Sequence, residues 1–159
     1  MKPAVISAAK PSALLLLLAG LLLAATGAIA PVLAADAITL PPQTVAPGEV
    51  QLTVKLTLPP GHKLNAEAPS TLILSAQDQA VVAVAKKYPG NLQAKDFPVT
   101  LKVPAKEGKT IIQADFKINF CDEKNGLCFM RDAAIQLPVT VSQAAAPKNL
   151  EIDYRLKME

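Results

Sequence analysis

The chain has 159 residues, 16 basic against 13 acidic, for a formal net charge of +3, with two Cys and no Trp. No cluster of basic residues carries interleaved aromatics, which speaks against a nucleic-acid surface. The 14 prolines, and the lack of any long helical period outside the N-terminus, speak against a helical domain.

Lys2 and Lys10 form a short positive head, followed by the uncharged run "SALLLLLAGLLLAATGAIA" and the small residues of "PVLAADA". That order is the pattern of a secretory signal peptide, expected over residues 1–35. Cleavage after Ala34 or Ala35 fits, because cleavage after Ala30 would leave Pro31 at the new N-terminus. The apolar run is also long enough to span a bilayer, so an uncleaved anchor stands as the alternative. A periplasmic or secreted location follows, with no membrane association once the signal is removed. Without Lys2 and Lys10 the basic residues fall to 14 against 13 acidic, a net charge of +1. The remaining length suits one domain. In an oxidising compartment two thiols usually become one disulfide.

Residues 36–48 read as a linker entering a first short strand, "AITL". In "EVQLTVKLTL", Val50, Leu52, Val54, Leu56 and Leu58 alternate with polar residues, the mark of a strand packed on one face. "PPG" at 59–61 ends it. "STLILSA" and "AVVAVA" are short apolar runs divided by the polar turn "QDQ", and "KKYPGN" breaks the chain again. "FPVTLKVP" alternates with Val99, Leu101 and Val103 inward, and "AKEGK" turns the chain. "TIIQADFKINF" alternates strongly with Ile112, Ala114, Phe116, Ile118 and Phe120 inward. "AAIQLPVTV" places Ile135, Leu137, Val139 and Val141 on one face. "NLEIDYRLKM" is a last strand or a tail, within a C-terminal stretch 146–159. Seven or eight strands with regular turn signals predict an all-β fold, an antiparallel immunoglobulin-like β-sandwich over residues 49–145.

The cysteines lie in "NFCDEKNGLCFM", residues 119–130. Placing Cys121 directly across from Cys128 also pairs Phe120 with Phe129, Phe116 with Ala133, Ala114 with Ile135 and Ile112 with Leu137, all on the apolar face. Lys117 then faces Asp132, a stabilising pair of opposite charges. Arg131 would point inward opposite Ile118, which a bulge near 130–132 or an edge position would relieve. A competing register, with Asn125-Gly126 as a two-residue turn, sets Cys121 opposite Met130 and cannot close the disulfide directly. The first register is preferred, with a loop over residues 123–126. Cys121 shares its parity with Gln113, Asp115, Lys117 and Asn119, so the disulfide is expected on the polar face, within reach of an attacking thiolate.

Two readings of the pair remain open. A staple closing eight residues removes about 2.5 kcal/mol of unfolded-state entropy and needs no further purpose. An exposed pair can also exchange with another protein's thiols. There is no Cys-x-x-Cys, so no thioredoxin-type active site. His62 is the lone histidine and reads as a surface-loop residue without partners for a metal site. Asp122 and Glu123 flank the pair and read as loop solubilisers, with opposition to thiolate formation or contact with a partner as the alternatives, and Lys124 would act in the opposite sense on the thiol. No Ser/His/Asp set, paired-carboxylate cleft or phosphate loop can be assembled, and no cofactor is expected.

"LPPGHKLNAEAPS" at 58–70, followed by "FKINFCDEKNGLCFMRDAAIQLPVTV" at 116–141, resembles the DsbD amino-terminal domain family. It is more similar still to the β-domain at the end of NHL-repeat thioredoxin-like proteins. The resemblance covers most of residues 45–142. It implies an immunoglobulin-like domain whose hairpin cysteines, here Cys121 and Cys128, take electrons from a membrane electron-transfer protein and pass them to thioredoxin-fold partners. Pro60, Gly61, Leu64 and Asn65 match the family's "PPG-x-x-LN" segment. His62 and Leu64 stand where the DsbD domain has tyrosines, and no aromatic cap segment is evident. The expectation is an exported thiol-disulfide exchange module, with an inert, protein-binding β-sandwich as the alternative. Enzymatic protein-disulfide reductase activity and the oligomeric state stay open.

Overall fold

A computed structural model describes residues 37–158 except 89, 91 and 146. The signal segment expected over residues 1–35, its cleavage site and the anchor alternative therefore lie outside the described residues. Ten strands carry almost all of the regular structure: β1 (Ile38–Thr39), β2 (Gln43–Val45), β3 (Gly48–Thr57), β4 (His62–Leu64), β5 (Thr71–Ala76), β6 (Ala85–Tyr88), β7 (Val99–Ala105), β8 (Gly108–Asp122), β9 (Cys128–Val141) and β10 (Asn149–Arg155). One short 3-10 turn, Ala94–Asp96, is the sole helical element among the described residues.

The strands form two sheets. The larger runs β1-β9-β8-β5-β6, with β2 also on β9 and β4 also on β8; the smaller runs β10-β3-β7. The alternation in the sequence becomes the inner face of a sandwich. Val50, Leu52 and Val54 from one sheet meet Ile112, Ala114 and Ile135 from the other, all fully buried. Period-two patterning does this because a strand's side chains point alternately to its two faces. The all-β sandwich is thus as expected.

The strand count is higher than seven or eight because β1, β2 and β4 are two or three residues long and carry little periodicity. The long ladders β8/β9, β5/β8 and β3/β7 are antiparallel. The edges are different: β1 and β2 pair with β9, and β10 with β3, in parallel. The C-terminal stretch forms a strand over Asn149–Arg155, because Leu150 and Ile152 add to the core.

The segment 80–85 departs from its expected role. Its valines do not form a strand of their own. Asp78 turns the chain by accepting the Ala80 N–H on its side chain and the Val81 and Val82 N–H groups on its carbonyl. Val81, Val82 and Val84 are buried at this turn. The strand begins at Ala85 and includes Lys86 and Lys87, which the sequence suggested as a break. Burial of the valines is satisfied by an irregular crossing that reaches the second sheet through the Val82–Ala105 bridge.

Candidate functional site

The β8–β9 hairpin builds the site. Its ladder runs without interruption from Gly108 with Val141 to Cys121 with Cys128. The register that pairs the cysteines is therefore the one present, and the competing Asn125-Gly126 register is not. Beyond the cysteines, Asp122 donates its N–H to the Leu127 carbonyl at 2.8 Å, and its carbonyl accepts the Gly126 N–H at 2.9 Å. The Asp122 carboxylate accepts the Lys124 N–H at 2.8 Å, and the Asn125 side chain accepts the Leu127 N–H at 2.8 Å. Gly126 takes φ 71°, a left-handed conformation that an L side chain resists. Asp122 and Asn125 thus act as turn formers, while Glu123 and Lys124 are exposed loop residues.

Cys121 and Cys128 are disulfide-bonded, with Cα atoms 3.9 Å apart. Directly opposed residues that do not exchange backbone hydrogen bonds are the closest pairs in an antiparallel ladder, and this is such a pair. Cys121 is half-buried and Cys128 exposed. The bond lies on the outer face of the sheet, as parity requires, and the core is on the other side.

The neighbours of the pair come from the other segment that the resemblance singled out. The "PPG" turn, with Gly61 at φ 75°, feeds β4 onto β8. His62 pairs with Asp122, Lys63 with Cys121 and Leu64 with Phe120. The Gly61 carbonyl accepts the Glu123 N–H at 2.9 Å, which ties the PPG turn to the cysteine loop. Asn65, just past β4, places its side-chain nitrogen 3.9 Å from the Cys128 Sγ. His62 is half-buried on the inner side, its ring 5.6 Å from Phe120 and 6.3 Å from Phe129. Its Nδ1 lies 3.0 Å from the Pro60 carbonyl and so carries the proton of that hydrogen bond. His62 is a packing residue of the hairpin tip, where a surface loop residue was expected. No cluster of three His, Cys, Asp or Glu side chains able to hold a metal occurs among the described residues.

Arg131 lies opposite Ile118 as expected, but the ladder needs no bulge there. Over residues 128–134, β9 has no strand on its outer side among the described residues. A long side chain can therefore turn past the edge into solvent, and Arg131 is exposed. Its charge reaches the Tyr154 phenol. Burial holds that phenol above its ordinary pKa, and Arg131 draws it partly back down. Lys117 and Asp132 face each other in register, yet they form no ion pair within 4.0 Å. Both line a shallow groove of about 440 Å³ on the outer face, together with Thr71, Ile73, Lys87 and Asp115.

The end of the loop and the open stretch of β9 carry the most exposed apolar side chains near the disulfide. Leu127 is 59% exposed, Met130 58% and Phe129 36%. Sequence reasoning found the cysteines and their face. It offered an edge position for Arg131, which the open stretch of β9 provides, and it missed β4 and the Asn65 contact. The alternation of His62 and Leu64 about Lys63 was the available signal for β4.

No family model matches the chain. It is similar to NHL repeat-containing protein 2 of Gallus gallus, 26% identical over 111 residues. The match takes in 65% of this chain and 15% of that protein's length. Among the described residues, no helix is long and apolar enough to cross a membrane.

Proposed function

We propose that the chain is an exported module that exchanges disulfides with redox partners through the Cys121–Cys128 pair. The observation that carries this reading is that the disulfide lies at the free end of a hairpin, on the outer face of the sheet, with Cys128 an exposed residue. Exchange needs a thiolate to reach one sulfur along the line of the bond, and a buried inter-sheet disulfide denies that approach. The resemblance of the cysteine segment to the DsbD amino-terminal domain family, and to the β-domain of NHL-repeat thioredoxin-like proteins, points to the same reading.

The chemistry follows from the access. A partner thiolate attacks Cys128, the more exposed of the two cysteines. A mixed disulfide forms and Cys121 leaves as a thiolate. A second partner thiolate then attacks the partner's own sulfur in that mixed disulfide and releases Cys128. Two electrons enter the pair, and the partner's dithiol becomes a disulfide. In the reverse direction the Cys121–Cys128 dithiol reduces an oxidised partner. A thioredoxin-fold protein and a membrane electron-transfer protein are the two partner classes. Leu127, Phe129 and Met130 supply apolar area that such a partner would cover.

Trapping tests the reading. A Cys121→Ser variant, which keeps Cys128, is mixed with a thioredoxin-fold protein that lacks its resolving cysteine and whose remaining cysteine is activated as a thionitrobenzoate mixed disulfide, so that the Cys128 thiolate displaces thionitrobenzoate. A mixed disulfide is expected at Cys128, and a Cys128→Ser variant should give far less. If neither variant forms one, the pair is an inert staple in a binding domain.

A further inference from the structure

We propose that the Asn65 side-chain amide stabilises Cys128 as a thiolate during exchange. The inference rests on the exchange reading above and assigns a residue to it. Asn65 Nδ2 lies 3.9 Å from Cys128 Sγ. Three contacts fix that placement. The Asn65 N–H donates to the Asn119 carbonyl at 2.8 Å, which anchors the residue to β8 beside the cysteines. The Asn65 Oδ1 accepts the Glu67 N–H at 2.9 Å. With the amide oxygen committed to Glu67, the NH2 group must face the sulfur, so the amide orientation is not arbitrary. Finally, β4 holds the preceding residues on β8 through Leu64 and Phe120.

An N–H donor favours the charged form of its acceptor, so an amide aimed at sulfur favours thiolate over thiol. Cys128 passes through the thiolate state in both directions. As a dithiol, the pair attacks an oxidised partner through the Cys128 thiolate, and the partner's other sulfur leaves as a thiolate. The Cys121 thiolate then attacks Cys128 Sγ and releases the partner's remaining sulfur. The two thiol protons end on the partner's dithiol, and a protein dithiol must reload the pair. In the opposite direction, Cys128 is the thiolate released from the mixed disulfide. The same amide serves both as aid to the nucleophile and as aid to the leaving group.

The other groups around the pair do not duplicate it. The Gly126 carbonyl lies 3.6 Å from Cys128 Sγ and is an acceptor, which favours the protonated thiol. Lys63 on β4 is the cross-strand neighbour of Cys121. Asp122 closes β8, Glu123 and Lys124 stand in the loop, and Glu67 follows Asn65. Of the described residues, Asn65 is the one whose N–H donates to either sulfur.

The test uses the full chain with Cys121→Ser, leaving Cys128 as the one thiol. The pH dependence of its alkylation reports its pKa. Asn65→Asp and Asn65→Ser both keep an oxygen that can cap the Glu67 N–H, and both lose the amide N–H that reaches the sulfur, since the serine hydroxyl is too short to replace it. The expected result is a Cys128 pKa raised by about one unit in Asn65→Ser, about tenfold less thiolate below that pKa, and raised further in Asn65→Asp. Circular dichroism establishes that each variant is folded. A pKa unmoved in both variants overturns the proposal. So does a rise in Asn65→Asp alone, which would be the added charge and not the lost donor. If the pKa moves as expected but no mixed disulfide can be trapped, the Asn65 assignment stands and the exchange reading fails.

Discussion

Reducing the Cys121–Cys128 bond should cost the protein stability, and the cost can be worked from the hairpin. The bond closes eight residues, since the cysteines are seven positions apart. Loop-closure entropy for that length is worth about 2.5 kcal/mol at room temperature. For roughly 120 folded residues, that corresponds to a fall of about 10 °C in Tm on reduction. The thermodynamic cycle adds a second, independent number. If the bond stabilises the fold by that amount, the fold stabilises the bond equally, and about 2.5 kcal/mol is about 50 mV for a two-electron couple. The pair in the native protein should thus have a potential about 50 mV more negative than in the denatured chain. The assay is thermal unfolding of oxidised and reduced protein, with glutathione equilibration in buffer and in guanidinium. Reduced protein as stable as oxidised, together with equal potentials in the two states, would refute the reasoning. The loop would then already be held in the denatured chain by residual turn contacts of Asp122 and Asn125.

Other perturbations probe different parts of the site. Phe120→Ala removes a fully buried ring from the hairpin tip and should cost about 3–5 kcal/mol in urea unfolding, with His62 and Phe129 losing their common neighbour. Tyr154 titrates above its ordinary value of 10.0 because burial disfavours the phenolate, and Arg131 opposes that shift. A pKa raised in the folded state adds stability that is complete below pH 10.0 and lost as pH rises through the folded value. Alkaline unfolding should accordingly be shallower in Tyr154→Phe, and Arg131→Ala should move the tyrosinate absorbance step to higher pH. Leu127→Glu and Met130→Glu alter exposed side chains and should change stability by no more than about 0.5 kcal/mol. Both should slow mixed-disulfide formation if a partner covers this rim, as measured by gel-resolved trapping over time.

The parts of the molecule legible in the sequence are those where one local rule suffices. Alternation over 112–120 and 135–141 gave both the inward faces and the register, because sliding one strand by a single residue would turn its whole apolar set to solvent. The same parity put the cysteines on the outer face. Arg131 looked like an error in that pattern because periodicity carries no information on where a neighbouring strand ends. The open edge of β9 over 128–134 is a tertiary fact, and it resolves the Arg131 position without a bulge. The valines at 80–85 misled for a related reason. An apolar run says that side chains are buried but not that the backbone is extended, and Asp78 sets the turn. Asn65 was matched as part of a motif, yet its role at the sulfur depends on β4 docking beside β8, a contact between segments more than fifty residues apart. Lys117 and Asp132 show the opposite limit. Their register was legible, but facing positions do not ensure that two exposed side chains meet.

The reduction potential of the Cys121–Cys128 pair, measured by equilibration of the folded protein with glutathione, tests the central claim most directly. An exchange module requires a value above roughly −300 mV, in the range of proteins that trade disulfides. A value below that, in a protein whose cysteines give no mixed disulfide, would make the bond a structural staple and contradict the account.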